Sequence, residues 1–357
     1  MFGAEVIEGL CMSTGLTIRG TGGFTLPLIE NKELLEYLES QKDSAWLEEK
    51  TGIKTHSLNF DCSQGSKIDN TISSIDYAEY AARQAMANAG LSAENIDHLC
   101  LATCTPSQLH FMRDVIELHR RLGLRKDVVV DQIDGGCAAL AKAFQTVEIH
   151  ARYSNKYPNY NALIVATNDV SSFLDKERYK TVQNAWLSPV VFADGAGALI
   201  LGPGDGMFLA RTYCAVDGNH PLVEYLGGGA EYPTNLATLD KHTYIMDARD
   251  VAVQFSPAME RVFDNLLWYR KNIAMKDITR WYIHQANLRL IEHFVKENNI
   301  SMDLVPHNVD VFGNTVSAST LLLLHRDILN REFPNDGPVI FIFVGAGMME
   351  GGALFLG

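Results

Sequence analysis

A cysteine stands where a predicted strand gives way to a predicted helix. Cys137 lies in the stretch DQIDGGCAAL (131–140), after the β-branched run Val128–Val130 and behind Gly135 and Gly136. Glycines permit a tight turn and let a substrate approach the backbone. A helix N-terminus carries partial positive charge and free N–H groups, which favour a thiolate and lower the thiol pKa. Most cysteines are small buried hydrophobes, but this context favours a nucleophile, and the other five cysteines lack it.

Two further residues are candidates for assisting that nucleophile, which needs a group that handles protons and a donor toward developing negative charge. His284 follows the apolar run WYI and precedes a predicted helix. Asn314 lies in the Gly-Asn turn of DVFGNTVSAS. Each is a weak signal alone, because the chain has eleven histidines and Gly-Asn turns are common. Three such residues, each expected at the end of a strand, predict a Cys-His-Asn site.

Alternating strand and helix patterns must position these residues. The Ala-rich segment before Gly90 is typical of a helix with a glycine just past its end. Short apolar runs predict strands, and their alternation with helices predicts α/β layers with a mixed, largely parallel sheet. The strands and helices most clearly indicated are strands at 96–103, 162–168, 195–202 and 207–218 and helices at 73–89 and 256–272.

The second half of the chain repeats the order of the first: strand, long helix, strand, helix, strand. We therefore predict an N-terminal extension at 1–15, an N-terminal half at 16–203 carrying the cysteine, and a C-terminal half at 204–357 carrying the histidine and asparagine. The seam is expected in the turn GPGDG. The repeat is one of topology and is not literal in sequence.

Composition bounds the class of protein. The 357 residues are 47% hydrophobic, which supports a large core and either two domains or a duplicated unit. A formal charge of −13 argues against nucleic acid or an anionic membrane as the main partner. No apolar stretch approaches the roughly 20 residues that span a bilayer. The N-terminus lacks a signal-peptide pattern and the six cysteines form no CxxC pair, so we expect a cytoplasmic protein with reduced thiols and no metal site.

Several motifs together resemble β-ketoacyl-acyl carrier protein synthase III of the thiolase superfamily. HQANLR followed by GNTVSAS thirty residues later (284 to 314) is a specific signal. The resemblance covers nearly the whole chain after the first dozen or so residues. The other segments that carry it are WLEEKTGI (46–53), VVFADGAGALIL (190–201), LGGGAEYPT with YIMDARDV (226–251) and FVGAGMMEGGAL (343–354).

The resemblance implies a thiolase-like, duplicated α-β-α-β-α five-layer fold, a homodimer, and a condensing enzyme that needs no cofactor or metal. Cys137 then takes an acyl group from an acyl thioester, usually of coenzyme A. Malonyl-acyl carrier protein binds and loses carbon dioxide while His284 and Asn314 stabilise the thioester oxygen. The resulting carbanion attacks the acyl-enzyme. The backbone N–H of Cys137 and one from the Gly345–Gly347 loop, assigned to Gly347, form the oxyanion hole.

The same resemblance implies residues that bind substrate. Trp46 matches the tryptophan that stacks on the adenine of coenzyme A, and Arg289 matches an arginine at the tunnel mouth. Phe111 corresponds to the residue that crosses the dimer interface to close the partner's acyl pocket, with His110 as a rival because of an apparent insertion. Basic residues near the HQAN strand are expected to form a docking patch for the acidic carrier protein: Arg270, Lys271, Lys276, Arg280, Arg289 and Lys296.

The chain departs from the family pattern at several positions. Lys50 stands where arginine is common and Ala248 where glycine is usual. Gly135 and Gly136 replace alanines, which either widens the pocket or loosens the turn. The spacing from Cys137 to His284 is long, with the extra residues expected in 150–190 or 218–245, where family members shape the acyl pocket. These departures argue against acetyl-coenzyme A as the substrate.

Other functions fit less well. A thiolase-fold acyltransferase would move the acyl group to a hydroxyl or amine without decarboxylation, but keeping Asn314 favours condensation. A non-catalytic subunit would not be expected to retain all three residues. A papain-like protease shows Cys, His and Asn in the same order, but the signature around its cysteine is missing here.

Overall fold

A computed structural model describes residues 15–156, 158–182, 185–270 and 272–357. The predicted extension at 1–15 therefore lies, except for Gly15, outside the described residues. The strands are β1 (Leu16–Phe24), β2 (Leu28–Glu30), β3 (Thr55–Ser57), β4 (His98–Ala102), β5 (Val129–Ile133), β6 (Ala162–Asn168), β7 (Gly195–Pro203), β8 (Phe208–Val216), β9 (Val223–Glu224), β10 (Ile245–Met246), β11 (Arg280–Ile283), β12 (Val339–Gly345) and β13 (Met349–Leu356).

The α-helices alternate with these strands. They are α1 (Asn31–Tyr37), α2 (Ser44–Thr51), α3 (Ser74–Ala89), α4 (Arg113–Leu122), α5 (Ala139–Tyr153), α6 (Lys176–Thr181), α7 (Ala248–Leu266), α8 (Leu288–Glu297), α9 (Val309–Phe312) and α10 (Ala318–Leu329). Helix α3 begins with a capping box between Ser73 and Asp76 and ends at Gly90, whose φ of 66° is left-handed, as the glycine signal predicts.

Nine strands pair in the order β11-β12-β13-β8-β1-β7-β6-β4-β5. Among the described strands, parallel pairing joins β4 to β5 and β6, and β11 to β12. The other pairings of this sheet are antiparallel, so the expectation of a largely parallel sheet is wrong. Periodicity indicates a strand but does not encode its direction. In both halves parallel strands are followed by two antiparallel neighbours, but the N-terminal half has three parallel strands (β5, β4, β6) and the C-terminal half two (β11, β12).

The buried side chains divide the molecule into five layers. Helices α3 and α4 cover the outer face of the N-terminal strands, and α7 and α8 cover the outer face of the C-terminal strands. Helices α5 and α10 pack between the two halves, against the inward faces of both. Strand residues alternate accordingly: Leu99 and Leu101 face outward, while Cys100 and Ala102 face the central helices. The expected five-layer α/β fold is confirmed.

Within the described part of the sheet, the strands of the two halves are joined at one place only, between β1 and β8. β1 and β8 share the pair Thr17 and Phe208. The predicted seam falls between β7, which ends at Pro203, and β8, which begins at Phe208. The division into two domains at that point stays a prediction.

Two predicted boundaries differ from the structure. The helix expected at 256–272 is α7, which starts at Ala248 and contains Pro257. The Asp247 carboxylate accepts hydrogen bonds from the N–H groups of Arg249 and Asp250, and this cap starts the helix two turns before the proline. The residues before Asn314 form the short helix α9 and are not a strand, so this asparagine does not lie at a strand end.

Candidate active site

Cys137 lies in a tight turn between β5 and the central helix α5. Gly136–Ala138 form a single 3₁₀ turn, and α5 begins at Ala139. Gly136 has a φ of 51°, a left-handed conformation that other residues adopt only with strain. The cysteine is 8% exposed. The strand, glycine turn and helix that the sequence predicts around this residue are therefore observed.

The loop between β12 and β13 packs directly against the cysteine. A Cβ placed on Gly345 would lie 2.6 Å from the backbone nitrogen of Ala138 and 3.0 Å from the Cβ of Cys137. Glycine at this position therefore allows the two backbones to approach each other. Gly345 and Ala346 line the cavity that contains Cys137. Gly347, with a φ of 103°, follows in the same loop, and its N–H in an oxyanion hole stays a prediction.

His284 follows the last residue of β11, as expected. Its backbone N–H donates to the carbonyl of Ile342 at 2.8 Å, which continues the ladder between β11 and β12 past the strand end. The side chain is 2% exposed, and Nδ1 has no hydrogen-bond partner among the described residues. Burial lowers the pKa of His284 to about 3, so the imidazole is neutral at neutral pH. A neutral imidazole can accept one proton or donate one hydrogen bond.

Asn314 lies just before the other central helix, α10. Its backbone N–H donates to the Val191 carbonyl at 2.9 Å, and its carbonyl accepts from Ala193 at 2.8 Å. The side-chain Oδ1 accepts from the Val316 N–H at 2.9 Å. With the oxygen engaged, the amide NH₂ donates to the Cys137 thiol, an interaction that lowers the pKa of the cysteine. The two central helices thus bring Cys137 and Asn314 together from the two halves.

Burial reverses the expected charge state of the nucleophile. The sequence analysis predicts a lowered pKa for Cys137 because of the helix N-terminus. In the structure, burial raises the pKa of this thiol to about 12, and the hydrogen bond from Asn314 only partly opposes that rise. The prediction of a resting thiolate is wrong. Cys137 is a thiol at neutral pH and has to lose its proton when a substrate arrives.

One cavity of about 510 Å³ contains Cys137, His284 and Asn314. Trp46 and Arg289 line it as well, so the structure brings five of the predicted site residues together. Most of its lining side chains are apolar. Lys50 and Ala248, the two departures noted in the sequence, also line this cavity.

Trp46 and Arg289 are both held in place by neighbours. The Trp46 ring lies 6.0 Å from that of Trp186, and the Lys42 ammonium lies 4.9 Å from its centroid. Arg289 donates to the carbonyls of Glu49 and Glu48 at 3.0 and 3.1 Å, which ties α8 to the end of α2. Arg289 therefore anchors the helix that carries Trp46. Their contacts with substrate stay predictions.

Phe111 lies apart from the cavity walls of its own chain. It is 87% exposed, has a φ of 64°, and lines neither cavity beside Cys137, whereas His110 lines the second of them. The structure describes one chain, so a role for Phe111 across a dimer interface stays a prediction.

Arg280 does not belong to an exposed basic patch, contrary to the prediction. The Arg280 guanidinium donates from Nε to the fully buried carboxylate of Asp327 at 3.1 Å, and its side chain is 14% exposed. Arg280 and Asp327 form a buried ion pair, because Arg280 is the first residue of β11 and its side chain points into the protein. Lys271 lies outside the described residues. A docking role for the remaining residues stays a prediction.

The sequence analysis missed residues that hold the site loops. Gln285, fully buried, donates to the Ile283 carbonyl at 2.8 Å and accepts from the Asn308 N–H at 3.0 Å, which fixes the loop after His284. Asn168 accepts from the Cys104 N–H and donates to the Thr315 carbonyl, both at 3.2 Å. The position of Gln285 directly after His284 could have indicated its role. No feature of the sequence around Asn168 indicates that it holds a site loop.

A second polar cluster lies away from this site. His98 Nε2 lies 2.7 Å from the Asp131 carboxylate and 3.2 Å from the Cys100 sulfur, and the Tyr160 hydroxyl bonds to its Nδ1 at 2.9 Å. The three side chains His98, Cys100 and Asp131 are of metal-ligating types. Their separations are those of a hydrogen-bond network in which both imidazole nitrogens are satisfied.

Comparison with solved structures identifies the class of fold. The chain superposes on the crystal structure of 3-oxoacyl-(acyl carrier protein) synthase III from Pseudomonas aeruginosa with a TM-score of 0.79, at 23% identity and covering 96% of this chain and 98% of that one. It superposes on the priming β-ketosynthase from the R1128 polyketide biosynthetic pathway with a TM-score of 0.78, at 22% identity and 96% of each chain. These likenesses define the fold as that of the thiolase-like condensing enzymes.

Sequence comparison then shows which enzymes the chain resembles over most of its length. The family model described as 3-oxoacyl-[acyl-carrier-protein (ACP)] synthase III C terminal matches residues 269–356. A β-ketoacyl-[acyl-carrier-protein] synthase III of Chelativorans sp. is 28% identical over 349 residues, covering 95% of this chain and 98% of its own. Over nearly its whole length the chain is similar to β-ketoacyl-acyl carrier protein synthases III, and this similarity supports a condensing enzyme of fatty-acid initiation or polyketide type. In the described part of the chain, no helix has the length and apolar character to cross a membrane.

Proposed function

We propose that the protein loads an acyl group from an acyl-coenzyme A onto Cys137 and condenses it with malonyl-acyl carrier protein. The observation that carries this proposal is the single cavity that Cys137, His284 and Asn314 line together. Trp46 and Arg289, which line the same cavity, are the proposed contacts for coenzyme A and for the carrier's pantetheine arm.

The loading step exchanges one thioester for another. The Cys137 thiol loses its proton, its sulfur bonds to the acyl carbon, and the bond from that carbon to the coenzyme A sulfur breaks. Neutral His284 can take up the proton and pass it to the departing thiolate. The backbone N–H groups of Cys137 and Gly347 are proposed to stabilise the oxyanion. The two thioesters have similar energy, so loading needs no other energy source.

The condensation step uses hydrogen-bond donors. Malonyl-acyl carrier protein loses carbon dioxide, and the electron pair of the broken C–C bond forms an enolate at the thioester oxygen. His284 and Asn314 donate hydrogen bonds to that oxygen without a permanent ion pair. The enolate carbon then bonds to the acyl carbon, and the bond to Cys137 breaks. Side chains and backbone N–H groups of the protein account for every step of this scheme, so we propose that no metal or cofactor takes part.

We further propose a homodimer in which Phe111 closes the acyl site of its partner. An almost fully exposed phenylalanine next to the cavity residue His110 supports this proposal. Multi-angle light scattering should give twice the mass of the 39.6 kDa chain. A monomer in solution would contradict it.

Intact-protein mass spectrometry tests the proposed reaction. The protein is incubated with a panel of acyl-coenzyme A thioesters and then with malonyl-acyl carrier protein, and carbon dioxide release is recorded. We expect an acyl adduct that Cys137→Ala abolishes, followed by loss of the adduct with release of carbon dioxide. An adduct that persists in the variant would place the nucleophile elsewhere. Loss of the adduct to a hydroxyl or amine acceptor without carbon dioxide would indicate a plain acyltransferase.

A further inference from the structure

A second cavity of about 570 Å³ reaches Cys137 from another side. It shares Cys137, Phe192, Val223 and Ala346 with the first cavity. The residues proposed to contact coenzyme A, Trp46 and Arg289, line the first cavity alone. A thioester that enters through the first cavity would therefore direct its acyl chain into the second, which we call the acyl cavity.

Aromatic rings form one wall of the acyl cavity. The Phe173 ring lies 5.6 Å from Tyr225 and 5.5 Å from Tyr244, and the two tyrosine rings lie 4.8 Å apart. The Tyr244 hydroxyl donates to the Cys104 carbonyl at 2.6 Å, which fixes that ring. Such rings present large apolar areas with little conformational freedom.

The rest of this wall is held by main-chain hydrogen bonds. β9 pairs with β10 through residues 223–224 and 245–246. The N–H of Gly227 donates to the Lys241 carbonyl, and that of Gly228 to the Tyr232 carbonyl, both at 2.9 Å. A Cβ on Gly227 would lie 2.5 Å from Nδ1 of His242, so the glycine lets the backbone pack on that ring. This wall of the acyl cavity is thus built by a hydrogen-bonded segment within 218–245, one of the two ranges where the sequence predicts the extra residues.

The charge around the acyl cavity is acidic. Asp134 and Glu224 line it, and its described lining includes no lysine or arginine. An acyl group that ends in a carboxylate would find no cation to pair with and two like charges nearby. The acyl cavity therefore disfavours dicarboxylic acyl groups.

We propose that the acyl group loaded onto Cys137 is large and mainly apolar, and that Cys104 is among the residues that set its size. This inference rests on the proposed function. A cavity of this volume is in the range that buries whole drug-sized ligands, whereas an acetyl group would leave the aromatic wall uncovered. Cys104 lines the acyl cavity, and its carbonyl anchors Tyr244, so a larger side chain there shortens the space without removing a wall.

Competition between thioesters tests the proposal. The wild-type protein is offered equimolar acetyl-, octanoyl-, dodecanoyl-, benzoyl- and succinyl-coenzyme A, and the adducts on Cys137 are counted by mass at short times. We expect octanoyl, dodecanoyl or benzoyl adducts to exceed acetyl and succinyl adducts by about tenfold or more. Comparing the octanoyl and dodecanoyl adducts with the benzoyl adduct shows whether the protein prefers an aliphatic chain or an aromatic ring. An acetyl or succinyl adduct that dominates would overturn the proposal.

A pair of variants tests whether the acyl cavity determines which acyl group is loaded. Cys104→Phe should reduce loading of the preferred large group by about tenfold or more while acetyl loading continues. Leu329→Phe, which adds a ring at a position that is 63% exposed and outside both cavities, should keep the wild-type profile. Should Cys104→Phe lose acetyl loading too, Val170→Phe adds a ring to the same cavity. Unchanged chain selectivity in a variant that loads acetyl would overturn the role of the acyl cavity. Failure to load any thioester in the wild type would instead refute the proposed function.

Discussion

The side-chain oxygen of Asn314 accepts a hydrogen bond from the N–H of Val316 at 2.9 Å. Because Oδ1 is engaged by the backbone, the NH₂ group is left to donate to the thiol of Cys137. Val316 has a left-handed φ of 55°, so the backbone is held in an uncommon conformation where it fixes this amide. The turn before α10 therefore sets the orientation of the Asn314 amide.

The first prediction separates loading from condensation. Asn314→Ala removes the donor, and Asn314→Asp keeps an acceptor for the Val316 N–H but cannot donate. Both variants should still acquire an acyl adduct, and both should lose decarboxylative condensation by about 10²–10³-fold, the usual effect of removing one donor to a developing oxyanion. Adduct mass and carbon dioxide release measure the two steps. Condensation at the wild-type rate in either variant would contradict the assigned role.

The second prediction concerns the ionisation of the nucleophile. With its pKa raised to about 12 by burial, the thiolate fraction of Cys137 should increase about tenfold for each pH unit across the neutral range. Alkylation of Cys137 by iodoacetamide, followed by peptide mass spectrometry, should therefore accelerate from about pH 7 to about pH 9 without a plateau. Asn314→Ala should slow it further, since the asparagine lowers this pKa. A plateau near neutral pH would show a resting thiolate and contradict the prediction.

The third prediction links the neutral histidine to stability. Burial lowers the pKa of His284 to about 3, below its usual value of 6.5, so the unfolded chain binds this proton more strongly than the folded chain. The contribution of His284 to stability is present above pH 6.5 and is lost as the pH falls toward 3. From about pH 7.5 to about pH 5.5 the loss should be on the order of 1 kcal/mol.

Urea unfolding of wild type and His284→Gln at the two pH values measures this loss. The variant should show a smaller decrease in the free energy of unfolding on acidification, because glutamine does not titrate. His56 provides a second case, since burial lowers its pKa to about 4 and its substitution by glutamine should flatten the pH dependence in the same direction. An unchanged pH dependence in His284→Gln would mean that the folded protein protonates this histidine.

The sequence predicts which residues form the site better than it predicts strand direction, helix boundaries or the pKa of the nucleophile. Cys137 and His284 were located because a strand, a turn and a helix are visible in the pattern around each of them. The direction of the strands, the helix before Asn314 and the start of α7 at the Asp247 cap are set by tertiary contacts or by a single carboxylate. The pKa of Cys137 depends on burial by loops that are distant in sequence, so the helix N-terminus alone gave the wrong direction.

The last prediction distinguishes the two glycines before the nucleophile. Gly136 has a left-handed φ of 51°, and a Cβ there would lie 3.3 Å from that of Ala346. Gly135 has a φ of −168°, which any residue adopts, and its Cβ would lie 3.1 Å from the flexible Met349 side chain and 3.3 Å from the Cα of Ala139. Gly136→Ala should therefore cost about 1–2 kcal/mol of stability and slow acylation, because the strained turn carries Cys137.

Gly135→Ala, which restores one alanine of the family pattern, should change stability by less than about 1 kcal/mol and leave acylation near the wild-type rate. Gly218→Ala is the matched control, because a Cβ at Gly218 meets nothing within 4 Å and this residue lines neither cavity. Urea midpoints and the initial rate of adduct formation measure all three variants. Equal effects of Gly135→Ala and Gly136→Ala would contradict the prediction. The expected difference would show that the second glycine serves the turn, and that the first is not needed to widen a pocket.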